Sequence, residues 1–200
     1  MNVPAFLLGA GSLVLATFAI KAALGSWSRM SGRVMVLGDS VTAHGGYVSV
    51  LQRTFPGLTF ENHGVVGQST RAMLDRARPL LVPGAYAGVI VMGGLNDGDR
   101  PASWTTGNLS AIYAAAKASG ARVAALSETP VSHYPSWTSG AQARAEGARR
   151  WVLGKPAHVD VSIDTWAPIK GHREYYAPDG LHLNAQGQQT LGQYVARKLR

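Results

Sequence analysis

The run Arg33-Val34-Met35-Val36-Leu37, followed at once by Gly38-Asp39-Ser40-Val41-Thr42, decides how the chain is read. A short, mostly apolar run that stops at a glycine has the pattern of a strand buried on both faces. Such strands belong to parallel sheets, whose neighbouring strands are joined by crossover helices. The chain repeats the alternation. Residues 58–62, 88–92, 122–127 and 158–163 read as further strands. Helical patterns cover 47–55, 69–81, 108–119, 139–153 and 185–199. Gly120 closes the third of these and Asn184 is a fitting N-cap for the last. The expectation is a three-layer α/β/α domain over residues 29–200, built on a five-stranded, parallel, flavodoxin-like sheet.

Composition narrows the chemistry. The chain has 200 residues and no cysteine, which excludes disulfides, a thiol nucleophile and thiolate metal sites. Hydrophobic residues make up 46% and charged residues 15%, against both disorder and a coiled coil. The formal charge is +8, but the basic residues are scattered. The small clusters at Arg149-Arg150 and Arg197-Lys198-Arg200 have no interleaved aromatics, so a nucleic-acid partner is not expected.

Residues 1–28 stand apart. Residues 3–20 carry no charge, and after Lys21 the apolar run continues to Gly25. At about 1.5 Å per helical residue, this length suits a hydrocarbon core of about 30 Å. A membrane anchor over residues 3–24 is the leading expectation. A cleaved signal peptide and a buried helix are the alternatives, with secretion following in the cleaved case. Lys21, Arg29 and Arg33 come after the segment, which by charge alone favours a cytoplasmic body.

Ligands of doubly wound sheets bind beyond the carboxyl ends of the strands, so the residues just past each strand matter most. After the first comes Gly38-Asp39-Ser40, after the second Asn62-His63-Gly64-Val65-Val66-Gly67, and after the third Gly93-Gly94-Leu95-Asn96-Asp97. Before the last helix stands Asp179-Gly180-Leu181-His182. Taken singly, each block has a plainer reading. Ser40 is a helix cap, Gly67 a turn glycine, Asn96-Asp97 a turn, and Asp179 and His182 loop residues or metal ligands.

Together and in this order, over roughly residues 33–200, the blocks resemble the SGNH hydrolases, also called GDSL esterases and lipases. Val41 after Ser40 is a mild departure from the family's usual leucine. The resemblance implies a serine ester hydrolase working through an acyl-serine intermediate. Ser40 is then the nucleophile, His182 the base and Asp179 its orienting acid. The backbone N–H groups of Ser40 and Gly67 and the Asn96 side-chain amide are then the oxyanion donors. The chemistry is self-consistent, since a serine hydroxyl needs a base and the oxyanion needs preset donors. In a turn of helical geometry, positions 179 and 182 share a face. No cofactor and no metal are implied; His44, His63, His133, His158 and His172 form no recognisable metal set. The substrate is a small-molecule, lipid or glycan ester, and loops 133–137 and 166–176 are candidate pocket walls. The alternatives are an acetyl esterase or acetyltransferase on envelope glycans, and a catalytically silent, membrane-tethered binding module. The resemblance favours a body exported from the cytoplasm, against the charge bias.

Two other readings fail on the residues. The G-x-S-x-G elbow would need glycine where Thr42 stands. Neither G-x-G-x-x-G nor a P-loop comes after the first strand.

Overall fold

The computed structural model describes residues 26–200. The expected N-terminal apolar helix and the membrane segment 3–24 lie outside the described residues. No helix among the described residues is long and apolar enough to cross a membrane.

Five strands form one parallel sheet: β1 (Gly32–Gly38), β2 (Leu58–Gly64), β3 (Gly88–Met92), β4 (Arg122–Leu126) and β5 (Val161–Ile163). Their order is β2-β1-β3-β4-β5. The helices are α1 (Ser40–Ala43), α2 (Gly46–Thr54), α3 (Thr70–Ala77), α4 (Ala102–Ala118), α5 (Ser139–Leu153), α6 (Trp166–Ile169) and α7 (Ala185–Leu199).

Successive side chains of a strand point to opposite faces, and here both faces are covered. Val34 and Val36 of β1, Ile90 and Met92 of β3, and Ala124 and Leu126 of β4 join one core, under α2 and α7. Met35, Leu37, Val89, Val91, Val123 and Ala125 join the other, under α3, α4 and the end of α5. Trp27 completes the first core at the far end of the sheet and is fully buried. A Cβ at Gly88 would stand 2.7 Å from its ring.

The differences from expectation are local. β5 begins at Val161 rather than 158, because His158 has φ 70° and cannot continue an extended strand. Residues 69–81 split into α3, capped by Ser69, and a 3₁₀ turn at Arg78–Leu80, since Pro79 cannot donate to a helix. α4 starts six residues early, at Ala102. Its first turns, Trp104-Thr105-Thr106-Gly107, have weak helix propensity, and a tertiary bond from buried Thr105 to Asp97 compensates. Asn184 caps α7 as expected, accepting from the Gly187 N–H at 3.0 Å.

Candidate active site

Strand register gathers the first three blocks. Gly38 of β1 lies beside Gly64 of β2 and Met92 of β3, so the chain leaves all three strands at one edge. There β1 turns abruptly into α1. A Cβ at Gly38 would lie 2.0 Å from Thr42 Oγ1 and 2.9 Å from the Met92 carbonyl. One at Gly64 would lie 2.1 Å from the Ala43 nitrogen. The turn therefore closes only with glycine at both positions.

Asp39 is the N-cap of α1, its Oδ1 accepting from the Val41 N–H at 3.0 Å. It is 1% exposed, and burial pushes its carboxyl up to about 6 against that bond and the nearby His182. Ser40 begins α1 and is 5% exposed. Asn62 fastens β2 to this turn, donating to the Thr42 carbonyl at 2.8 Å and accepting from the Gly64 N–H at 2.9 Å. Gln188 of α7 does the same from the other side, accepting from the Tyr47 N–H and donating to the Val41 carbonyl.

The fourth block meets Ser40 across the edge. His182 Nε2 and Ser40 Oγ are 2.9 Å apart, and His182 Nδ1 is 2.6 Å from Asp179 Oδ2. The turn between Asp179 and His182 is not helical. Asp179 Oδ1 accepts from the N–H groups of Leu181 and His182, and Gly180 between them has φ 70°. The carboxylate thus organises its own loop and still presents its second oxygen to the imidazole. Burial acts to raise the Asp179 carboxyl, but the His182 ring and the two N–H bonds overcome it, bringing it down to about 2. Asp179 is an anion at neutral pH.

Gly67 has φ 75°, and an added Cβ would meet nothing within 4 Å. Its glycine thus serves the left-handed backbone rather than a close approach of neighbouring atoms. Asn96 Nδ2 donates to the Gln68 carbonyl at 3.1 Å, which draws the amide to the Gly67 turn. A side-chain amide has two N–H bonds, so one remains for a ligand. Among the described residues, the backbone N–H groups of Ser40 and Gly67 have no acceptor. Buried Asp97 locks the two blocks together: it accepts from the Thr70 N–H at 2.8 Å, from Thr70 Oγ1 at 2.7 Å and from Thr105 Oγ1 at 2.6 Å.

Beside Asn96 opens a cavity of about 330 Å³, walled by Leu95, Tyr134, Trp137 and Leu181. Loop 133–137 therefore borders the site. From loop 166–176, Trp166 and Tyr176 are packing residues instead. The Trp166 indole donates to the Glu128 carbonyl and the Tyr176 hydroxyl to the Pro130 carbonyl. One neighbour has no sequence signal: the His44 ring lies 5.0 Å from that of His182. The His63 ring makes long contacts, 3.4 Å each, to Glu61 and Tyr86. No group of three or more acidic or histidine side chains among the described residues is arranged to hold a metal ion.

The model of the GDSL-like lipase/acylhydrolase family matches residues 36–190 of the chain. The chain belongs to that family. The GDSL-like fold is shared with solved structures of low identity. A lipase/acylhydrolase from Enterococcus faecalis is 20% identical, with TM-score 0.69 over 85% of this chain and 95% of that one. The psychrotrophic esterase EstA from Pseudoalteromonas sp. is 22% identical, with TM-score 0.66 over 84% and 96%. A carbohydrate esterase family 3 protein from Talaromyces cellulolyticus is 19% identical, with TM-score 0.64 over 85% and 96%. No curated protein matches this GDSL-like chain.

Proposed function

We propose that this GDSL-family carboxylic ester hydrolase works through an acyl-enzyme on Ser40. The observation that carries the reading is the continuous chain from Asp179 through His182 to Ser40, with both contacts under 3 Å. His182 Nε2 takes the hydroxyl proton as Ser40 Oγ bonds to the ester carbonyl carbon. Asp179 holds the ring by Nδ1 and stabilises the imidazolium. The carbonyl oxygen, now an anion, is met by the N–H groups of Ser40 and Gly67 and the Asn96 amide. As the C–O bond to the alcohol breaks, the leaving oxygen takes the proton from His182. Water then repeats the sequence on the acyl-enzyme, releasing the acid and restoring the Ser40 hydroxyl.

The cavity beside Asn96 supports a small acyl or sugar-borne ester. Its aromatic and apolar walls are joined by the polar side chains of Asn96, Asp99 and Thr138. That lining also favours a second reading, an acetyl esterase acting on glycans. The uncharged stretch 3–20 supports tethering of the body to a membrane.

Turnover of a short p-nitrophenyl ester tests the proposal. Ser40→Ala and His182→Ala each abolish it in a protein that still folds; turnover surviving Ser40→Ala overturns the assignment.

A further inference from the structure

Behind the Asn96 turn lies a buried ion pair that the hydrolytic steps do not use. Arg144 of α5 and Glu128, just past β4, have side chains 0% and 1% exposed, with Arg144 Nη1 2.7 Å from Glu128 Oε1. Burying such a pair costs desolvation, and a matched apolar pair is often as stable or more so. This pair is also incompletely satisfied. Glu128 Oε2 and Arg144 Nη2 are buried and have no hydrogen-bond partner. Stability alone does not account for it.

What the pair touches does. Arg144 Nε donates to the Gly98 carbonyl at 2.9 Å. Gly98 ends the turn Leu95–Asp97 with φ 62° and ψ −140°, a conformation that favours glycine. Glu128 closes the other end, because a Cβ at Gly94 would stand 2.5 Å from Glu128 Oε1. The turn carrying Asn96 is therefore bonded by Arg144 at one end and packed against Glu128 at the other. The Arg144 guanidinium also lies 5.7 Å from the centre of the Trp137 ring, which walls the cavity beside Asn96.

We propose that Arg144, held by Glu128, is a positioning residue for ester hydrolysis: it fixes the Asn96 turn so that the amide meets the oxyanion, and it ties that turn to the Trp137 wall. The inference rests on the proposed roles of Ser40 and Asn96. A fork that reaches Gly98 and Glu128 at once is a property of guanidinium, which the point charge of lysine does not reproduce.

The test is steady-state hydrolysis of a short p-nitrophenyl ester by the full chain. Arg144→Met combined with Glu128→Leu removes both charges without stranding either, so the double variant is expected to keep or raise Tm. Its kcat is expected to fall about 10- to 100-fold with KM changed less than about twofold, as misplacement of a group by about 1 Å can do. Adding Asn96→Ala should then cost little more than Asn96→Ala alone, because the two changes remove the same interaction. A folded double variant with wild-type kcat overturns the proposal. So does a loss that multiplies fully with that of Asn96→Ala. If the double variant does not fold, Arg144→Lys, which keeps the buried charge, decides the same question by the same split of kcat and KM. Ser40→Ala, assayed alongside, separates the two claims: turnover surviving it overturns the nucleophile reading whatever Arg144 does.

Discussion

At the scale of single residues, the site divides into groups that meet the reaction and groups that hold them. In the proposed mechanism Asn96 is of the first kind. Its remaining N–H is worth most when negative charge forms on the substrate oxygen. Asn96→Ala is therefore expected to lower kcat by about 10²-fold with a smaller change in KM. A raised KM at unchanged kcat contradicts this. Asp39 is of the second kind, and burial holds its carboxyl near 6, above its ordinary value. The folded protein thus prefers the neutral acid. Its contribution to stability is full below about pH 4 and is lost as pH rises through about 6. Asp39→Asn keeps an acceptor for the Val41 N–H and removes the charge. It is expected to gain a few degrees in Tm over the parent at pH 8, at roughly 2–4 °C per kcal/mol, a smaller gain at pH 4.5, and almost none at about pH 3. Equal shifts at pH 8 and pH 3 in a melting series would refute it. Asp179 has the opposite sign, stabilising above about pH 4 and losing this as pH falls through about 2.

Elements bring these residues together, and here the legibility of the sequence divides. Strand ends were readable, because apolar runs that stop at glycine are local patterns, and Ser40, Gly67 and Asn96 sit just beyond them. Asp179 and His182 were readable as a pair by spacing, but not the turn that joins them, which depends on Asp179 bonding its own backbone. The Glu128–Arg144 pair left no local trace. Glu128 stands in a Ser-Glu-Thr-Pro loop and Arg144 on a helix, and only packing buries them against each other. The start of α4 was missed for the same reason, since Asp97 lies outside it. Gly64→Ala tests the tight joint of β2 and α1. The added carbon meets the Ala43 backbone, which has no free rotamer to yield, so a loss of about 1–3 kcal/mol or more in denaturant unfolding is expected. Asn184→Ala removes the α7 cap and two further bonds, to the Glu174 and Tyr176 carbonyls, that anchor the loop leading to Asp179. It should cost about 1–2 kcal/mol. A neutral result at either position would mean the joint is looser than its geometry.

At the scale of the whole molecule, the parallel sheet explains why the chemistry has one address. All five strands run the same way, so their carboxyl ends share one edge, where the first three blocks leave the sheet and the Asp179–His182 loop meets Ser40. The α/β/α layers were legible in the alternation of strand and helix patterns, and the GDSL-like family in the order of the four blocks. The proposed tether over residues 3–24 rests on the uncharged stretch 3–20. Fractionation of the full-length protein checks it: recovery in the membrane fraction is expected, and a soluble protein with its N-terminus intact would contradict it. The central claim is that Ser40, activated by His182 and Asp179, bonds covalently to the substrate. Mass spectrometry of the protein treated with a fluorophosphonate addresses it most directly. The account predicts a single adduct in the tryptic peptide spanning residues 34–53, localised to Ser40 by fragmentation and absent from His182→Ala. An adduct on any other residue, or undiminished labelling of Ser40→Ala, would contradict it.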